Sequence, residues 1–181
     1  MPLLNSFKAL FVRPAAHAAF AQFDAVSNSA TVPVPLTFKT QLPEKTWLWL
    51  VGVKITDSDV ATVAAEWRLY ILNGDGPPLD TGAAFDDNAA LALPEAMTTG
   101  VRYGTDLLAG GRVNELQTVI SLDTGMNTGL NEVYEYRTPP VGIKVGATGD
   151  LYGILQVDNA YDPSANSNTI TVELILEADQ N

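Results

Sequence analysis

The sequence predicts an all-β protein, a two-sheet antiparallel β-sandwich of jelly-roll-like type that carries an N-terminal arm. Three observations lead there. From Val32 onward apolar and polar residues alternate with period two in one short segment after another, the pattern of strands with one buried face. Charged residues make up only 17% of the chain, while glycines and prolines number 14 and 11, a balance that suits strands joined by many turns. The intervening segments are uneven and several are long, which fits strands crossing between two sheets better than an up-and-down meander. At 181 residues the expectation is one sandwich domain, residues 31–181, preceded by an arm of residues 1–30. A chain of this size buries a sizeable core without staples.

The arm differs in composition from the rest. Ala15, Ala16, Ala18, Ala19, Ala21 and Ala25 surround Phe20 and Phe23, and Ser27-Asn28-Ser29 follows. Alanine propensity and Pro14 at a first-turn position favour a short helix over residues 15–25. The alternative is an extended segment that orders against a neighbouring subunit, which accounts for apolar Phe7, Phe11, Phe20 and Phe23.

Residues 31–36 can be extended, but Pro33 and Pro35 confine them to a sheet edge or a strand start. Residues 47–53, WLWLVGV, are apolar at both parities, as in a strand covered on both sides. Residues 66–71 alternate with Trp67, Leu69 and Ile71 on one face, and Asn73-Gly74-Asp75-Gly76-Pro77-Pro78 ends the run. The stretch 80–111 is too long for a plain loop, and Pro94-Glu95-Ala96-Met97 has the make-up of one helical turn. Residues 116–122 alternate with Leu116, Ile120 and Leu122 in register, and 123–129 form a loop by composition. Residues 132–137 are a strand that Pro139-Pro140 breaks, and Val141, Ile143 and Val145 make another short run. Residues 150–157 and 169–176 close the chain. In the last, Ile170, Val172, Leu174 and Leu176 share one face and the other face is wet.

Chemistry is sparse. There is no cysteine, which removes disulfides, thiolate metal sites and a cysteine nucleophile, and suits a reducing cytoplasm. His17 is the one histidine, so a histidine-based zinc site or a Ser-His-Asp triad has little to build on. Glu132 and Glu135 lie three apart on a strand and point to opposite faces, which counts against paired acid-base work. Asp86-Asp87-Asn88 and residues 158–162 are oxygen-rich enough for a hard cation, but turn chemistry explains them as well or better. Gly110-Gly111-Arg112 lacks the spacing and lysine of a phosphate loop. Trp47, Trp49 and Trp67 would make a sugar-stacking platform if exposed, although the apolar run around the first two favours the core. The net charge of −11 repels phosphate and anionic headgroups, so neither nucleic acid nor membrane is an expected partner. Residues 1–20 contain no apolar run of signal-peptide or membrane-span length.

Residues 67–93 resemble a pattern found in auxiliary head proteins of tailed bacteriophages. An aromatic-bearing strand ends in leucine, an Asp/Gly/Pro break follows, and then comes Ala84-Phe85-Asp86-Asp87-Asn88-Ala89-Ala90-Leu91. Residues 151–157, Tyr161-Asp162-Pro163 and 172–174 fit the same picture, and residues 1–45 do not match it. The resemblance implies a non-enzymatic decoration (cement) protein; the residues themselves point to no cofactor and no metal site. Such a protein binds the assembled shell of major capsid protein, is often a homotrimer, sits on the capsid surface after synthesis in the host cytoplasm, and stabilises the shell. On that reading Phe7, Phe11, His17, Phe20 and Phe23 of the arm are the candidate capsid or subunit interface. The alternatives are a tail, baseplate or fibre component of the virion, or a carbohydrate-binding β-sandwich module.

Overall fold

The computed structural model describes residues 4–14, 19–29, 34–59, 65–73, 87–88, 102–103, 114–122, 125–127, 132–163 and 167–178. Among these there are eleven strands and no helix: β1 (Leu4–Val12), β2 (Ala25–Val26), β3 (Leu36–Lys39), β4 (Trp47–Asp57), β5 (Trp67–Asn73), β6 (Arg102–Tyr103), β7 (Asn114–Leu122), β8 (Gly125–Asn127), β9 (Glu132–Lys144), β10 (Asp150–Val157) and β11 (Thr169–Ala178). They form a five-stranded sheet, β1-β11-β4-β9-β8, and a six-stranded sheet, β2-β10-β5-β7-β6, in which β3 also pairs with β10. Every pairing is antiparallel.

The order of pairing shows how the chain is wound. β1 pairs with β11, β3 with β10, β4 with β9 and β5 with β7, so the chain is one long antiparallel ribbon folded back on itself. Rolling that ribbon brings β11 beside β4 and β10 beside β5, which closes the two sheets. This is the jelly-roll arrangement of two Greek keys. The connections collect at two ends. At one, Arg13 N–H donates to the Asn168 carbonyl (3.0 Å), Asp158 N–H to Glu66 (2.7 Å) and Ser58 N–H to Thr169 (3.0 Å), while Phe20 and Tyr161 exchange backbone bonds. At the other, Lys45 N–H donates to Val145 and Val145 N–H to Thr46, both at 2.9 Å. The turn there needs Gly149, whose φ is +75°, a left-handed conformation that costs glycine nothing.

The core lies between the sheets. Ile170, Val172, Leu174 and Leu176 are fully buried, as the alternation of β11 predicts, and meet Leu69, Ile71, Ile120, Leu151, Leu155 and Val157 from the other sheet. Each such side chain contributes about 1.5–3 kcal/mol of burial. A second buried cluster, Tyr70, Leu72, Leu116, Tyr152 and Ile154, occupies the opposite face of the second sheet. β5 and β10 are therefore covered on both sides.

β4 departs from expectation in an instructive way. Its apolar run is not a doubly covered strand but two alternating halves out of phase. Leu48 and Leu50 point inward before Val51, and Val53 and Ile55 point inward after it. The register against β11 skips Val51, since Ile175 pairs with Gly52 and Leu176 with Leu50. One extra residue reverses the facing of everything beyond it. Trp47 and Trp49 consequently stand in solvent, not in the core. Opposite, β9 runs unbroken through Pro139 and Pro140, because the register irregularity between Leu50 and Gly52 falls there. The prolines are exposed where the ladder makes no demand on an N–H.

The arm expectation requires a larger correction. Residues 4–12 are not an arm but β1, paired with β11 over its whole length, and residues 25–26 are β2 on β10. The reason lies in the period-two pattern of Phe7, Ala9 and Phe11 against Lys8, Leu10 and Val12. Phe11 and Ala9 join the core and Phe7 packs against it. The helix expected over residues 15–25 does not form in its described part, residues 19–25, where Phe20 instead bridges to Tyr161. Residues 15–18, and the Pro94 turn with most of 80–111, lie outside the described residues.

Candidate functional site

The loop end of the sandwich carries a buried polar network. Arg13, one residue past β1, directs Nη2 at Asp87 Oδ2 (3.2 Å) and Nη1 at Asn168 Oδ1 (3.5 Å). Asn168 Nδ2 donates to Asp57 Oδ1 at 2.6 Å, and the Tyr161 hydroxyl donates to Asp57 Oδ2 at 2.9 Å. Asp59 N–H also reaches Asp57 Oδ1 at 3.0 Å. Asp87 Oδ1 accepts Ser27 N–H at 3.0 Å. Beneath this layer Arg13 Cζ sits 4.1 Å over the Phe20 ring, Phe20 stacks on Tyr161 at 5.9 Å, and Trp67 meets Tyr161 edge-on at 5.8 Å.

Burial pushes the Asp57 carboxyl above its ordinary range, against the hydrogen bonds from Asn168, Asp59 N–H and Tyr161, which pull it down. Both Asp57 oxygens are engaged and the site is closed to solvent. Its chemistry is that of a clasp joining β1, β4, residues 87–88 and the loop before β11. Asn88, at φ +58°, is of a type that tolerates the left-handed region, and its N–H bonds the Ala25 carbonyl at 3.0 Å. Residues 87–88 do form a turn, but the Asp87 carboxylate bonds Arg13 and Ser27 N–H far along the chain and not its own backbone, as turn chemistry would have it. Asp86 lies outside the described residues. Among the described residues no cluster of three His, Cys, Asp or Glu side chains has metal-binding geometry.

The surface tells a different story. β1 ends the five-stranded sheet, and among the described residues no strand pairs with its far side. Along that edge Leu10 is 64% exposed, Val12 48% and Val34 51%. They border a cleft of about 400 Å³ between β1 and the residues leading into β3, closed by Asn28 and Pro35. An unpaired strand flanked by exposed apolar side chains is a template for association.

No protein-family model matches this sequence, and no curated protein matches it. The solved structures that resemble it faintly include three of one virus. Against the structure of the Gt strain of infectious bursal disease virus, 99% of this chain and 42% of that chain align at 14% identity with a TM-score of 0.20. The VP2 subviral particle of infectious bursal disease virus aligns over 99% and 42% at 13% identity and a TM-score of 0.18. T=1 particles derived from infectious bursal virus align over 99% and 40% at 12% identity and a TM-score of 0.18. This chain spans about two-fifths of the length of the chains it matches. A likeness of this size carries no argument; the fold rests on the strand pairing.

The structure separates the residues expected to form an interface. Phe11 and Phe20 are used up in the chain's own core, and Phe7 is half-buried against it. His17 lies outside the described residues. Of the four described, Phe23 alone is exposed, with φ +73° and Arg68 Cζ 5.7 Å from its ring. The open apolar surface belongs instead to the alternate parity of the same segment, Leu10 and Val12. Its signal was present in the sequence as a period-two pattern across residues 7–12, apolar at both parities after Lys8. Glu132 and Glu135 fall on β9.

Proposed function

We propose that the chain is a non-enzymatic structural protein of a virion, a decoration or cement protein that binds the assembled shell of a major capsid protein from outside. The observation that carries this reading is the open β1 edge, where Leu10, Val12 and Val34 stand exposed around a cleft. An edge strand that no described strand pairs on its far side, flanked by exposed apolar side chains, is a surface for association, and subunit contact stabilises a shell by burying such surface. The resemblance of residues 67–93 to phage head proteins points the same way. Homotrimerisation through this edge, a place on the capsid surface, and synthesis in the host cytoplasm belong to the same proposal. The net charge of −11 speaks against nucleic acid as the partner. Among the described residues no helix is long and apolar enough to cross a membrane.

Electron cryomicroscopy of particles with and without the protein tests the reading. Decorated shells are expected to carry extra surface density and to withstand heating better than stripped ones. Equal heat stability with no lost surface density overturns it, and density at the neck, tail or fibres assigns the protein there instead.

A further inference from the structure

Two of the three tryptophans stand in water. Trp47 is 54% and Trp49 41% exposed, whereas Trp67 is fully buried. As residues i and i+2 of β4 they project from one face of the sheet, roughly 7 Å apart along the strand. On β9 the residue opposite Trp49 is Gly142, and the one opposite Trp47 is Lys144. A Cβ at Gly142 would lie 3.4 Å from Trp49 Cζ3 and 3.7 Å from Trp47 Cζ3. Both indoles thus lean over the one neighbouring position that has no side chain, forming a platform. On the other flank Glu177 of β11 is the register partner of Trp49 and shares its face.

From this geometry we infer that Trp47, Trp49 and Gly142 form a binding site for neutral oligosaccharides built of pyranose rings. The partly exposed indoles offer on the order of 200 Å², well short of the roughly 800 Å² per partner that a stable protein interface buries. Two of the register neighbours are polar, Lys144 opposite Trp47 and Glu177 opposite Trp49. A pyranose ring matches both properties. Its C–H face carries the positive edge that an indole face attracts, and its hydroxyls find a donor in Lys144 and an acceptor in Glu177. The chain's charge of −11 disfavours polyanionic glycans. Proline-rich peptides dock in aromatic-lined grooves, and this is an open sheet face.

The test uses the full chain. Native electrophoresis through gels containing hydroxyethyl cellulose, glycol chitin or dextran is paired with tryptophan fluorescence titrations of cellohexaose and chitohexaose. At least one probe should retard the protein and give a saturable emission change that persists in high salt. Trp47→Ala and Trp49→Ala should each weaken that binding about tenfold, with an unchanged circular dichroism spectrum and thermal midpoint. Gly142→Leu, which pushes a side chain beneath the rings, should weaken it as well. Failure of every probe, or undiminished binding by the double alanine variant, overturns the inference. So does a double variant that changes sedimenting mass rather than sugar binding, because the platform would then be a contact between copies.

Discussion

Arg13 and Asp87 lie 74 residues apart in sequence, yet their side chains meet at 3.2 Å with only 2% and 4% of their surfaces exposed. The pair pins the end of β1 to residues 87–88 of the long excursion between β5 and β7. Breaking such a buried pair from one side leaves an uncompensated charge and costs about 3–5 kcal/mol. Asp87→Asn, which keeps an acceptor for Ser27 N–H, should lower the unfolding free energy from urea titration by an amount in that range. Joined to Arg13→Met, it should cost less than the sum of the single changes. A midpoint shift no larger than that of a surface substitution would remove the pair from the account of stability.

Two carboxylates should pull stability in opposite directions with pH. Glu173 is held below its ordinary value of 4.5, chiefly by the Ser6 hydroxyl and then by Lys8 and Lys54. Its contribution is complete above the unfolded value and is lost as pH falls through the lower folded value. The group is half-buried at the sheet surface beside an exposed Lys8, so the effect is small and salt-sensitive. Asp57 is raised above 3.8 by burial. Its ionised form therefore costs stability above the folded value, and that cost is relieved as pH falls from there toward 3.8.

Asp57→Asn should abolish the second trend. The amide can keep its oxygen toward Asn168 and Asp59 N–H while its NH₂ faces the Tyr161 hydroxyl, which can accept. Urea midpoints of the wild type, Asp57→Asn and Glu173→Gln across mildly acidic pH should show the two slopes vanish separately. Identical profiles for all three proteins would refute both assignments.

Gly153 of β10 faces inward where a Cβ would lie 3.0 Å from Phe38 Cε2 and 3.3 Å from both Leu36 Cβ and Leu69 Cδ1. Alanine would recover about 0.5–1 kcal/mol of backbone entropy but overpack a site that is tight on three sides, at about 1–3 kcal/mol. Overpacking should win. Gly153→Ala is expected to lower the thermal midpoint, and a raised midpoint would show that Phe38 can move aside.

The β1 edge should separate association from folding. Leu10→Lys and Val12→Lys replace exposed side chains, so each should change unfolding free energy by about 0.5 kcal/mol or less. Lysine on a bare edge disfavours strand pairing. Sedimentation velocity should find the double variant monomeric where the wild type associates, and co-sedimentation with shells should be lost. Unchanged mass and attachment would move the contact surface elsewhere.

The strands with one wet face were legible because alternation survives in them: β11 reads directly from Ile170, Val172, Leu174 and Leu176. β4 misled because a bulge at Val51 splices two alternating halves into what looks like a continuous apolar run, and linear periodicity has no mark for a bulge. β1 was hidden by composition, since the alanines after it drew the segment from Leu4 to Val12 into an arm. The clasp was not legible at all. Arg13, Asp57, Asp87 and Asn168 look like ordinary turn and loop residues until the ribbon is rolled.

The all-β class, the inward parity of β11, the lack of thiols and the anionic charge balance follow from the order of residues alone. Those properties depend on residue type and on spacing within a few positions. The rolled ribbon was needed to settle that no described strand pairs with the far side of β1, that Trp47 and Trp49 face water, that Phe11 and Phe20 serve the chain's own core, and that Arg13 finds Asp87. Each of these depends on a register or a contact between segments tens of residues apart, and a register shift of one residue exchanges core for surface.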